Sequence, residues 1–150
     1  MKPLKKLTRF LQKKEKVDKQ IKAIINVTKS SDLQLIFKQI IRSHGKLVRG
    51  YAGEKGNSAR SFWSKYLHFH TPIVPLYDSK ASKNITKIFR DYGFLDKSEF
   101  RELLKVHGDD PYKKYVQRFI ILATALFDSK ERLIKKKIKE IDYFLLTYTA

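Results

Sequence analysis

The residues best suited to chemistry lie together at positions 61–81, in the run SFWSKYLHFHTPIVPLYDSKA. An amine (Lys65) and two imidazoles (His68 and His70) precede a bend built on Pro72 and Pro75, and a carboxylate (Asp78) follows it. A helix over residues 58–69 puts Ser61, Ser64, Lys65 and His68 on one stripe, because positions three and four apart are neighbours on a helix surface. Phe62, Tyr66 and Phe69, with Trp63, Leu67 and His70, then form a wide apolar face expected to look into the core. If the polar stripe faces solvent, it is the wet side of an amphipathic helix. If it faces a cleft, it supplies an amine, an imidazole and two hydroxyls near a carboxylate. An amine can attack an electrophilic carbon, and a carboxylate can activate water or stabilise developing positive charge.

Asp78 also reads as the N-cap of the next helix, a role compatible with chemistry because a capping carboxylate can still expose its second oxygen. His68, His70 and Asp78 do not make a metal set. Two His in a His-x-His pattern on a helix point in different directions, and no third ligand is suitably spaced. No metal and no cofactor is expected. Phosphate-binding glycine loops and the G-x-S-x-G signature are missing from the sequence, which removes the usual nucleotide and acyl-transfer readings.

The elements that must position these groups are helical. Apolar residues recur at helical spacing along the chain, with no long alternating run. Leu4, Leu7, Phe10 and Leu11 form a stripe after Pro3. Val17, Ile21, Ile24 and Ile25 continue it, with a second helix expected after the charged residues 13–16. Ser31 or Asp32 can cap a helix that turns Leu33, Ile36, Phe37, Ile40 and Ile41 inward. Gly45, Gly50, Gly53, Gly56 and Asn57 punctuate residues 43–57, which read as a loop-rich hairpin. After the helix at 58–69, Asp78 starts one that reaches Tyr92 and ends at Gly93. A short helix from Ser98, a buried one around Tyr115–Leu126 and a last one over residues 130–148 complete an all-α domain of seven to eight helices, with a basic N-terminal arm or helix over about residues 1–28.

Charge is the strongest global property. The 150 residues carry 33 Lys and Arg against 15 Asp and Glu, a formal net charge of +18. The excess lies at the N-terminus, +8 over residues 1–30, and in the region leading into the chemical run, +5 over residues 31–70. Such an imbalance points to a polyanionic partner, and the excess of Lys over Arg favours phosphate contacts over reading of base edges. An apolar fraction of 42% supports a packed core. The absence of cysteine fits a reducing, cytoplasmic location, near the nucleoid if the partner is DNA. Apolar runs are too short to span a bilayer, and no signal peptide is apparent.

The pattern at 53–78 resembles the helix-hairpin-helix DNA glycosylases, the base-excision superfamily that includes endonuclease III and 8-oxoguanine glycosylase. Gly53-Glu54-Lys55-Gly56-Asn57 is similar to the family's hairpin turn, residues 58–69 to the helix after it, and Val74-Pro75-Leu76-Tyr77-Asp78 to the approach to its catalytic aspartate. The KEIDYFLL run resembles the closing helix of small relatives. Where the family has apolar hairpin residues this chain has Glu54 and Lys55. By ungapped spacing from Asp78, the family's catalytic lysine falls on Arg60, which cannot form a Schiff base. Lys65 is the nearest lysine.

The resemblance implies an all-α glycosylase-like fold, nucleic acid as the partner (double-stranded DNA) and Asp78, with Lys65, as the catalytic pair. Amides around Gly53, Gly56 and Asn57 would hold a phosphate, with Lys46, Lys55 and Arg60 adding charge. Tyr66, Trp63 or Tyr77 would stack on a flipped base, with His68 beside them. Other readings are a nucleic-acid-binding module of the same fold without chemistry, and a basic α-helical domain that meets an acidic protein. A membrane-surface role for residues 2–25 is disfavoured, because their apolar residues are expected in the core. Oligomeric state is not readable.

Overall fold

The computed structural model describes residues 2–50, 57–94, 105, 110–127 and 131–149. Six helices run through them: α1 (Lys2–Val27), α2 (Leu33–Gly50), α3 (Asn57–His70), α4 (Ser79–Tyr92), α5 (Asp110–Leu126) and α6 (Glu131–Thr147). There is no strand among the described residues. No described helix is long and apolar enough to cross a membrane. The short helix expected from Ser98, and Gly53, Lys55 and Gly56 of the expected hairpin, lie outside the described residues.

α5 is the hub. Tyr112, Tyr115, Val116, Phe119, Ile120, Ile121, Leu122 and Ala123 are all buried, while Lys114 and Ala125 are exposed. A helix with so wide a buried face needs more than one neighbour to cover it. α5 accordingly contacts α2, α4 and α6. On one side α2 packs against α1 and α3; on the other α4 packs against α6. Buried residues from all six helices form one connected cluster.

Local signals explain most of the boundaries. Asp32 caps α2, its Oδ1 accepting from the Gln34 and Leu35 amides at 3.0 and 3.4 Å. α4 ends in a left-handed Gly93 (φ 68°), and the Phe94 amide closes back on the Phe89 carbonyl at 2.9 Å. That geometry satisfies a carbonyl which the helix end would leave open. Lys135 of α6 donates to the carbonyls of Thr28 and Ser30, tying the end of α1 to the far side of the fold.

Two expectations need correction. The N-terminal segment is one helix rather than two, and Leu7 and Leu11 of its first half stay out of the core. They are about half exposed, at 53% and 49%, whereas Val17, Ile21 and Ile24 further along are buried. The charged residues 13–16 do not break a helix, because Lys and Glu are good helix formers. The reason given for setting aside a surface role for residues 2–25 therefore fails at Leu7 and Leu11. Likewise residues 43–50, expected in a loop-rich hairpin, belong to α2, which continues to Gly50 with Gly45 buried inside it. Ile36, Ile40, His44 and Leu47 keep a helical stripe running past that glycine, and their burial outweighs a cost of about 1 kcal/mol for one glycine in a helix.

Nothing lies within 4 Å of a Cβ added at Gly93, so Gly93→Ala meets only backbone strain. The variant should lose roughly 1–2 kcal/mol, read as a lower urea midpoint with an unchanged slope.

Candidate functional site

The segment from Thr71 to Asp78 links α3 to α4 without being helical. Thr71, Val74, Pro75 and Tyr77 are buried, so its backbone polar groups need partners inside the protein. Pro72 and Pro75 have no N–H to offer. The Thr71 amide donates to the Leu67 carbonyl and the Val74 amide to the Thr71 carbonyl, and side chains from three helices meet further groups of the segment. Ser64 of α3 accepts from the Tyr77 amide at 2.9 Å, and its hydroxyl lies 3.2 Å from the Tyr77 carbonyl. His68 Nδ1–H donates to the Val74 carbonyl at 2.8 Å. From α5, the Tyr112 hydroxyl donates to the Pro75 carbonyl at 2.9 Å and the Tyr115 hydroxyl to the Leu76 carbonyl at 2.7 Å. From α6, Asp142 Oδ1 accepts from the Leu76 amide at 3.1 Å.

This clamp delivers Asp78 to the start of α4. Its backbone is extended and Oδ1 accepts from the Ala81 amide at 2.7 Å, the N-cap read from the sequence. Beside it is an open hollow of ≈ 580 Å³ lined by Ser58, Ser61, Phe62 and Lys65 of α3 and by Asp78, Ser79 and Lys80. Lys65 and Asp78, thirteen residues apart, thus border the same space. The volume falls in the range of about 300–1,000 Å³ typical of small-molecule sites.

The polar stripe of α3 divides. Ser61 and Lys65 turn to the hollow, whereas Ser64 and His68 turn to the clamp. The expected apolar face divides too. Ala59, Trp63 and Leu67 are buried, but Phe62 is 51% and Phe69 81% exposed. They stand one residue before Trp63 and two after Leu67, and each residue turns a helix by about 100°, which takes both rings off the buried arc. Tyr77 is buried, edge-on to Tyr112 and Tyr115 at 6.0 and 5.3 Å between ring centres. Tyr66 is half-buried against Trp63 and His70. Arg60 is half-buried on α3, and its carbonyl accepts from His44 Nε2 at 3.0 Å. Lys46 is exposed on α2, and Asn57 is the first residue of α3. None of Lys46, Arg60, Tyr66, His68 and Tyr77 lines the hollow. Among the described residues no group of three or more His, Cys, Asp or Glu is placed to hold a metal ion.

Ser64, expected on the polar stripe, serves the clamp instead, and the clamp side chains that sequence reasoning did not single out are Tyr112, Tyr115 and above all Asp142. A readable signal existed for the last. Ile138, Ile141 and Leu145 are buried on α6, and Asp142 sits within that stripe at only 4% exposure. Burial pushes its carboxyl up from 3.8 to about 7, against the opposing pull of the Leu76 amide. Its Oδ2 has no hydrogen-bond partner and lies 3.9 Å from His68 Nδ1. Burial, with Asp142 nearby, also pushes the Tyr112 and Tyr115 hydroxyls well above their ordinary value, which keeps both as donors. No protein-family model, curated protein or solved structure matches this chain.

The raised Asp142 value has a defined sign. Between pH 4 and 7 the folded protein holds a proton that the unfolded chain has released, so stability falls as pH rises through that window and levels off above it. The full change is about 4 kcal/mol. Asp142→Asn should flatten the window while keeping an acceptor for Leu76. Urea denaturation of both proteins at pH 5 and pH 8 checks this, and equal pH dependence in the two would refute the assignment.

Proposed function

We propose that the protein binds double-stranded DNA and acts on a nucleotide turned out of the helix at the Asp78–Lys65 hollow, as a base-excision glycosylase does. The observation that carries this reading is the placement of an amine and a carboxylate on one open hollow of ≈ 580 Å³, in a chain of net charge +18. Asp78 Oδ1 serves the helix cap, and a carboxylate has a second oxygen with which to meet a reacting group. As the glycosidic bond breaks, its electron pair leaves with the base and positive charge grows on the sugar. The Asp78 carboxylate stabilises that charge or takes the proton of the attacking water. In a lyase variant of the step, the Lys65 amine, after giving up a proton to water, would bond to the sugar carbon in place of water as the base leaves with the electron pair of the glycosidic bond. Lysines at the rim, Lys65 and Lys80, give the flanking phosphates a counter-charge.

Arg60, at the position that family spacing assigns to the nucleophilic lysine, favours a second reading, in which the same fold binds nucleic acid without chemistry. A panel of damaged, abasic and modified duplexes separates the two. The glycosylase reading expects base release that Asp78→Asn lowers by about 100-fold or more, with folding intact because Asn caps as well as Asp. Covalent trapping by borohydride that persists in Lys65→Ala would remove Lys65 as the nucleophile. Salt-sensitive binding with no base release or strand scission on any substrate would select the second reading.

A further inference from the structure

We infer that the exposed aromatic edge of α3 is a stacking surface for unpaired bases, so that the DNA proposed above is engaged through a single-stranded stretch of several nucleotides opened from the duplex. The inference rests on the nucleic-acid partner proposed above but not on its chemistry. Scattered exposed apolar residues are ordinary on a protein surface; a connected series of rings beside cations is a more specific arrangement. Phe62 lies 6.1 Å from Tyr66 with the rings 25° from parallel, Tyr66 lies 4.9 Å from His70 at a tilt of 54°, and His70 lies 5.3 Å from Phe69 edge-on at 88°, so the rings present faces in more than one direction. Phe62 and Phe69, the two most exposed members, are seven residues apart, which is about 10 Å along a helix. Successive bases of a strand are spaced about 3.4 Å apart, so the series matches about three steps.

Phe62 also borders the hollow that holds Lys65, Lys80 and Asp78. A base seated there would have its ring face on Phe62 and its phosphates near two ammonium groups. That pairing of rings with point charges suits single strands, where stacking is tolerant of sequence and lysines follow the backbone. A duplex keeps its base faces inside the stack and shows only edges in its grooves, so these rings would have nothing to stack on. The surplus of cations argues against a basic or neutral protein as the occupant.

The test uses the full chain and four labelled probes: a 12-nucleotide single strand, the same strand with abasic sites throughout, the blunt duplex and anionic phospholipid vesicles. Phe62→Ala/Phe69→Ala is compared with wild type and with Leu35→Ala, which removes an exposed apolar side chain on α2 away from the rings. The double variant should bind the base-bearing strand roughly 10- to 100-fold more weakly. On the abasic strand it should match wild type, and its salt dependence should be unchanged. The single tryptophan, Trp63, is 4.9 Å from Phe62, so its emission should change with the base-bearing strand and not with the abasic one. Equal affinity of variant and wild type for the base-bearing strand overturns the inference. So does an equal loss on both strands, or ring-dependent binding to the vesicles alone. A wild-type protein that binds no nucleic acid defeats the function and this inference together. Strand binding that ignores both rings defeats this inference alone.

Discussion

The fold is organised around a stretch of backbone that, apart from the Val74 amide bonding the Thr71 carbonyl, looks outside itself for hydrogen-bond partners. Residues 71–78 pass through the interior with two prolines and no helical ladder, and every buried amide or carbonyl left unmet there would cost about 1–3 kcal/mol. Ser64, His68, Tyr112, Tyr115 and Asp142 meet them, and they come from α3, α5 and α6. Those helices must therefore hold a fixed relation to one another for the segment to be satisfied at all. The position of Asp78 follows from this, because it is the first residue beyond the clamp and the cap of α4. A carboxylate placed by five side-chain contacts is held far more rigidly than one on a free loop, and rigid placement is what a reacting group needs.

The same constraint explains the least comfortable group in the molecule. Asp142 is buried and leaves one oxygen without a hydrogen bond, a choice that an apolar residue would have avoided. It persists because the Leu76 amide needs an acceptor at that place and α6 is the element that reaches it. Its preference for a proton is the cost of that service. His68 stands 3.9 Å away and is bonded to the same segment, so the two titratable groups beside the linker both serve its backbone. Asn84 adds a parallel tie from α4 to the Leu145 carbonyl at 2.6 Å, one turn along α6 from Asp142.

Much was legible from residues alone, and for local reasons. A cap, a left-handed glycine or a proline acts on its immediate neighbours, so Asp32, Asp78 and Gly93 could each be placed without knowing what surrounds them. The errors fall where a local signal met a packing demand. Gly45 looked like a break, but the stripe running through His44 and Leu47 carried α2 past it. Leu7 and Leu11 looked like core, but on α1 it is Val17, Ile21 and Ile24 that are buried. Phe62 and Phe69 looked like core for a similar reason. Two adjacent apolar arcs on α3 are equivalent in a helical projection until another helix covers one of them.

By itself the sequence determined an all-helical chain, the ends of several helices, a strong positive charge and a bend with Lys65 and Asp78 on either side. These are properties of single segments or of composition, and periodicity and turn chemistry suffice to set them. Only the tertiary structure decided which arc of α3 is buried, that Ser64 and His68 belong to the clamp while Ser61 and Lys65 border the hollow, and that Asp142, sixty-six residues from Leu76, completes the support. Each of those outcomes depends on which backbone groups a neighbouring element leaves unsatisfied, and that demand arises only when the segments meet.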